Sequence, residues 1–324
     1  MAGPRAASGR SLRPAVALVF VLSLAATAVF ADWVPGDGSS LVVRATAAPL
    51  LLGLAALPLL AAWTPVEPSL VKLALLSALV SPVWIGVLFA GATLGGLAPD
   101  GALATAFAGS ALVAPFAAGR RLELAPPGKP ALITFASAAL VTLGVVWLVS
   151  GLDARERLLQ PGVLWHSGVA QAIARGELEH PWLAGLQVPT APGYAVLAHV
   201  FARALALPVD LALGAINAWA LALLAPCVYF FAAPLWREPR RVLAAPLLAL
   251  FAWNALGPLT PALASSSGGP QEGLGWRAWL VLRTPGAGEG EVLYGLASWL
   301  EPAPWVPSLT LAAGAWFCAA HALR

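Results

Sequence analysis

The feature that most constrains the fold is a series of long apolar runs that recurs from Pro14 to the C-terminus. Runs of about 18 or more apolar residues are long enough to cross a bilayer as helices. In lipid, only helices and closed barrels satisfy the backbone hydrogen bonds internally. The runs are continuous rather than alternating, so they predict an all-α fold, a polytopic transmembrane helical bundle.

Composition supports a membrane protein and argues against a soluble or nucleic-acid-binding one. Only 10% of the 324 residues are charged and 60% are hydrophobic, whereas soluble domains carry about 25% charged residues. The sequence shows no basic face, so nucleic acid is excluded as a partner. The bias towards Arg and Ala suggests a GC-rich bacterial genome, and we therefore expect a multi-pass protein of the bacterial plasma (inner) membrane.

The apolar segments define the expected spans. They cover 14–31, 41–63, 69–95, 101–118, 130–151, 193–207, 209–235, 242–258 and 307–323. Proline and glycine punctuate the joins. Two polar stretches, 152–192 and 259–306, are longer than simple connections, and loops of that length are usually functional or disordered.

Basic residues orient the chain, because positive charge in short loops marks the cytoplasmic side. One cluster contains Arg120, Arg121 and Lys129, and a second is the WREPRR stretch at 236–241. With the N-terminus inside, both clusters fall inside only if segment 193–207 does not cross. We therefore expect about eight spans plus one partial or re-entrant helix, cytoplasmic termini and two extracytoplasmic loops.

This topology divides the chain into three regions. Residues 1–151 form an N-terminal five-span region, and residues 152–208 form an extracytoplasmic loop with an amphipathic helix and a partial helix. Residues 209–324 form a C-terminal three-span region that carries the outer loop 259–306. Cys227 and Cys318 both lie in apolar runs, where packing is the expected role, and they support neither a disulfide framework nor a zinc site.

The first outer loop carries the most informative pattern. An amphipathic helix is predicted from Gly162 to Arg175, with Val169 and Ile173 on its apolar face, and Gly176 supplies a stop signal. A polar, proline-containing stretch follows and ends in a Pro-Gly-Tyr turn at 192–194, which leads into the partial helix.

This order resembles the first extracytoplasmic loop of the GT-C superfamily of membrane glycosyltransferases. The matching elements are the Ala-x-Ala-x-Gly helix end at 172–176, the Pro-Gly-Tyr turn, the partial helix, the span at 209–235 and the basic turn WREPRR. The resemblance covers 150–260. It implies that the chain takes a sugar from a polyprenyl-phosphate donor at the outer face, with membrane lipids as further partners.

The resemblance also suggests where chemistry would reside. An acid opens the loop helix in that family, and here Leu164, Trp165 and His166 stand at the matching place. Transfer needs a base for the acceptor and a cationic group for the leaving phosphate. The candidate catalytic residues are His166, Asp153 and Glu156. The candidate phosphate-binding residues are Arg155, Arg157 and Arg175.

Each candidate has a structural alternative. A histidine beside a tryptophan also suits an amphipathic surface, and interfacial arginines also anchor lipid headgroups. A divalent metal is compatible with the glycosyltransferase hypothesis, and Glu177, Glu179 and His180 are its candidate ligands, although the same run also suits a solvated turn. The second outer loop adds three acids without a motif: Glu272, Glu289 and Glu291.

Polar residues inside the spans are few. Arg44 and Lys72 lie near segment ends, where long cationic side chains can snorkel to the interface. No Asp or Glu lies in the middle of a span, which argues against an ion-coupled transporter, since such proteins usually need buried ionisable groups. Three hypotheses remain: a glycosyltransferase, a non-catalytic subunit or scaffold for envelope assembly, and a lipid-handling or transport protein.

The first prediction concerns the N-terminus. Arginines followed by an apolar stretch and by Val29-Phe30-Ala31 resemble a cleavable signal peptide, with Asp32 outside. The apolar run is long for a signal peptide and adequate for a span, so we expect Pro14 to Ala31 to remain attached as a helix. Mass spectrometry of the purified protein tests this, and a mature chain beginning at Asp32 would contradict it.

Overall fold

The structure is a computed structural model that describes most of the chain. The described residues are 10–33, 38–63, 69–117, 119, 121–122, 127–150, 163–175, 179–180, 183–187, 193–236, 238–251 and 305–322. Within them the chain is predominantly helical, which confirms the helical class predicted from the apolar runs.

The described residues form eleven α-helices and four short strands. The helices are α1 (Arg13–Phe30), α2 (Gly38–Leu54), α3 (Leu57–Trp63), α4 (Leu70–Leu94), α5 (Pro99–Val113), α6 (Lys129–Ser150), α7 (Val163–Ala174), α8 (Gly193–Leu205), α9 (Val209–Ala232), α10 (Pro239–Phe251) and α11 (Trp305–Ala322). Strand β1 (Arg10–Ser11) pairs antiparallel with β2 (Arg121–Leu122), and β3 (Glu179–His180) with β4 (Leu183–Gln187). Neither pair was predicted.

Five helical stretches of the described chain are long and apolar enough to cross a membrane. They are Arg13–Phe30, Val42–Trp63, Leu70–Leu94, Pro99–Ala117 and Val209–Ala232. Three shorter apolar helical stretches are Lys129–Gly144, Gly193–Leu205 and Pro307–Ala319. A membrane-embedded chain is therefore supported, while the count of eight spans stays a prediction.

Contacts divide the chain into two compact units. The first unit comprises Met1–Pro127, Ile173–Leu178 and Ala202–Leu207. The second comprises Gly128–Ala172, Glu179–Phe201 and Pro208–Arg324. Helix α6, the last helix of the predicted N-terminal region, lies within the second unit.

Helices α1 and α5 of the first unit run antiparallel. At one end Arg10 pairs with Leu122, and Leu12 at the start of α1 shares a buried cluster with Ala117. Farther along, the rings of Phe30 and Phe107 lie 5.6 Å apart, between the end of α1 and the middle of α5. The start of α1 and the end of α5 therefore lie at the same end of this unit.

The predicted span 41–63 is interrupted rather than continuous. Helix α2 ends at Leu54 and α3 begins at Leu57, because Pro58 has no amide hydrogen and its ring clashes with a carbonyl one turn earlier. Two hydroxyls of α4 replace the lost backbone bonds. Ser81 Oγ accepts from the amide of Ala56 at 2.9 Å, and Ser77 Oγ donates to the carbonyl of Gly53 at 2.8 Å. Such replacement allows a helix break within a membrane.

The second unit is built around α9. Phe230, near the end of α9, contacts Phe135 near the start of α6 and Phe317 in α11. The hydroxyl of Thr310 donates to the carbonyl of Ala220 at 3.0 Å. Residue numbers rise together along α9 and α11, from Ala220 beside Thr310 to Phe230 beside Phe317, so these two helices run parallel.

The helix break generates a stability prediction. In Ser81→Ala the buried amide of Ala56 loses its acceptor, and we expect the free energy of unfolding to fall by about 1 kcal/mol. Thr46→Ala is the matched control, because the Thr46 hydroxyl only bonds to Val42 one turn earlier and the residue is exposed. Reversible unfolding in bicelles measures both variants. Equal stability of the two variants would contradict the role given to Ser81.

Candidate functional site

The candidate site lies where α7 contacts the start of α8, in the second unit. The rings of His166 and Tyr194 meet edge-on, with centroids 4.8 Å apart and planes at 84°. His166 is the fourth residue of α7, and Tyr194 is the second residue of α8. Edge-to-face pairs of rings are favourable because the positive edge of one meets the negative face of the other. The contact therefore joins the loop helix to the partial helix.

The position of His166 follows from the pattern of α7. Val163, Ser167 and Ala170 form a buried stripe, and Val169 and Ile173 are buried beside it. His166 is half-buried next to this stripe. Burial lowers the pKa of His166 below its ordinary value of 6.5, because desolvation penalises the imidazolium. A neutral imidazole at pH 7 has a nitrogen that can accept a proton.

Ser167 adds a second polar group to this region of α7. Its hydroxyl oxygen is buried, and it has no hydrogen-bond partner among the described residues. A buried hydroxyl of this kind costs free energy unless water or another group satisfies it. Ser167 follows His166 directly but points about 100° away around the helix axis, so the two side chains need not share one ligand.

Helix α8 is short and enclosed. All its residues except Gly193, Arg203 and Leu205 are buried. Its 13 residues rise about 20 Å, which is less than the roughly 30 Å of a bilayer core. This confirms a short helix at the predicted position of the partial helix.

The end of α8 carries an ion pair of the first unit. Arg203 Nη2 lies 2.8 Å from both carboxylate oxygens of Asp100, which is in the first turn of α5. The side chains are 43% and 36% exposed, so the pair contributes little to stability by itself. Its significance is positional, because it brings residue 203 to the end of α5 opposite the β1–β2 pair.

Of the other candidate catalytic and phosphate-binding residues, only Arg175 lies within the described chain. Asp153, Glu156, Arg155 and Arg157 lie outside the described residues. Arg175 is exposed and directly follows α7, nine residues after His166.

The candidate metal ligands receive no support from the described residues. Glu179 and His180 form β3, and Glu177, Glu272, Glu289 and Glu291 lie outside the described part of the chain. No three His, Cys, Asp or Glu side chains come together among the residues that the structure describes.

Two residues of this region were missed in reading the sequence. Tyr194 was treated only as part of a turn, yet it is the ring that His166 contacts. Asp100 is not among the predicted site residues, yet it pairs with Arg203. The signal for Asp100 was present, since an acid directly after a helix-starting proline favours the first turn.

Comparison of the chain with known protein families, with curated proteins and with solved structures finds no match in any of the three.

The histidine contact generates a titration prediction. We expect His166 to titrate below 6.5 and Tyr194→Ala to move its pKa upwards by admitting water, whereas Tyr194→Phe retains the ring and the low pKa. The folded chain favours the neutral imidazole, so the contribution of His166 to stability is present above pH 6.5 and is lost as the pH falls through the lowered pKa.

NMR of protein with labelled histidine rings measures this titration, and loss of one signal in His166→Gln assigns it. An unchanged pKa in Tyr194→Ala would contradict the shielding role of the tyrosine ring.

Proposed function

We propose that the chain is a multi-pass plasma-membrane glycosyltransferase of the GT-C type, which transfers a sugar from a polyprenyl-phosphate donor at the outer face. The observation that carries the proposal is the contact of His166 with Tyr194. It joins the two elements on which the resemblance rests, the loop helix and the Pro-Gly-Tyr turn that opens the partial helix.

The proposed topology has α8 staying on the outer side. Asp100 follows a predicted outer join and Arg203 pairs with it, so within the first unit the end of α8 lies at the outer end of α5. Helix α9 then starts outside and ends inside at WREPRR. Parallel packing of α9 and α11 in the second unit supports an outer start for α11 as well, and hence an outer position for 259–306.

His166 has the properties of a general base in this proposal. Its half-buried imidazole is neutral at pH 7 and can accept the proton of an acceptor hydroxyl as the new glycosidic bond forms. The ring of Tyr194 limits the orientations of His166 and keeps water from one side of it. Arg155, Arg157 and Arg175 remain the proposed partners of the departing phosphate.

A transfer assay tests the enzyme proposal. Purified protein in liposomes is supplied with polyprenyl-phosphate hexose or pentose donors and with extracted envelope glycans as acceptors. We expect His166→Gln to lower kcat about 100-fold or more, with little change in KM, because general-base catalysis contributes about that much. Tyr194→Phe should retain activity. His321→Gln is the matched control, because it removes a histidine outside the candidate site and should leave kcat unchanged.

Two outcomes would contradict the enzyme proposal. One is a wild-type protein that consumes no donor of either class, and the other is a His166→Gln variant as active as the wild type. The scaffold hypothesis is the second candidate, and a specific observation favours it: His166 packs edge-on against the ring of Tyr194, a contact that a purely structural histidine also makes. A scaffold predicts that His166→Gln lowers stability without altering any transfer.

Labelling tests the topology independently of activity. A single cysteine at position 239, in a chain carrying Cys227→Ala and Cys318→Ala, should resist a membrane-impermeant maleimide in intact cells and react after the cells are opened. Ready reaction of Pro239→Cys in intact cells would contradict the non-crossing α8.

A further inference from the structure

Arg44 is a charged residue inside an apolar helix, and its surroundings differ from those of Arg203 in the same unit. It is the third residue of the apolar stretch Val42–Trp63 and is half-buried. Its guanidinium carbon lies 4.6 Å from the centre of the Phe30 ring. Phe30 is 1% exposed and packs on Phe107. The ring is therefore packed in place, and the guanidinium lies over its face.

The Phe30 ring interacts with the positive charge of the guanidinium but does not accept hydrogen bonds from its N–H groups. A stacked aromatic face attracts the positive charge, but the five N–H donors of arginine point outwards in the guanidinium plane. No ion pair or hydrogen bond of Arg44 occurs among the residues that the structure describes. Arg203 in the same unit is different, because the carboxylate of Asp100 matches its charge at 2.8 Å.

None of the described residues offers an anion to this guanidinium, and a membrane supplies one. Arg44 is six residues after the start of α2 at Gly38, which is about 9 Å of helix, and a long side chain can bring its head to the interface. Charged side chains within membrane segments are costly unless paired. The anionic group that a membrane supplies at the interface is the lipid phosphate.

We propose that Arg44, stacked on Phe30, binds the phosphate group of a lipid. The planar guanidinium presents paired donors that match two phosphate oxygens, and the ring stack holds it in that orientation before the lipid arrives. In the topology proposed above the leaflet is the outer one, where few basic residues are expected, but the phosphate chemistry does not depend on the leaflet or on glycosyl transfer.

Two lipids share this chemistry, a phosphatidylglycerol of the bilayer and a polyprenyl monophosphate. The full-length protein is placed in nanodiscs that contain phosphatidylcholine with either phosphatidylglycerol or undecaprenyl phosphate. Native mass spectrometry then counts the anionic lipids that each protein retains. A preference for one lipid identifies the source of the phosphate.

We expect Arg44→Gln to lower the preference for the retained anionic lipid about five-fold, the effect of one basic residue at a membrane surface. The lipid preference of Arg44→Lys should lie between those of the wild type and Arg44→Gln, because lysine keeps the charge and loses the planar paired donors. The control is the double variant Asp100→Asn with Arg203→Gln, which removes two charges at the same end of the first unit and should retain the wild-type preference.

Phe30→Leu provides an independent variant that leaves Arg44 in place. We expect it to lower lipid retention because the guanidinium loses its stack, and circular dichroism verifies that each variant is helical. The proposal is overturned if Arg44→Gln retains the lipid like the wild type, or if the double variant loses as much lipid as Arg44→Gln.

Discussion

The structure depends on one constraint: a backbone amide or carbonyl inside an apolar layer must find a hydrogen-bond partner within the protein. Continuous helices meet it almost everywhere in the described residues. The break between α2 and α3 is the exception. Pro58 interrupts the series of backbone hydrogen bonds there, and two serine hydroxyls of α4 bond to the backbone groups left without helical partners. Ser81 accepts from the amide of Ala56, and Ser77 donates to the carbonyl of Gly53. Helix continuity and helix packing are thus coupled through two hydroxyls.

The length of α8 bears on the topology of the chain. A helix of the length of α8 cannot carry a chain across the bilayer core, yet nearly all of its residues are buried. Near its end Arg203 pairs with Asp100 of α5, and near its start Tyr194 contacts the ring of His166. In the proposed topology this short helix does not cross the bilayer, and His166 and Arg203 would then lie near the membrane interface, where a lipid-linked substrate has its phosphate.

The helices of the fold could be predicted from the apolar runs and their punctuation, whereas most contacts of the site could not. The apolar runs predicted the helices, and the Gly and Pro signals predicted α7 and α8 to within about two residues. The break at Pro58 was missed because proline is tolerated inside membrane helices when a neighbour supplies partners, and the sequence does not reveal that neighbour. The pairs Asp100–Arg203 and His166–Tyr194 join residues far apart in the chain, and local patterns carry no information about such contacts.

The central proposal is that the end of α8 lies on the same side of the membrane as the start of α5, because Arg203 pairs with Asp100. Single cysteines at Leu97 and Pro208, each in a chain without Cys227 and Cys318, test it most directly. Leu97 and Pro208 are exposed joins before α5 and after α8. The account predicts that a membrane-impermeant maleimide labels both from outside intact cells at comparable rates. Labelling of one position from outside and of the other only after the cells are opened would contradict it.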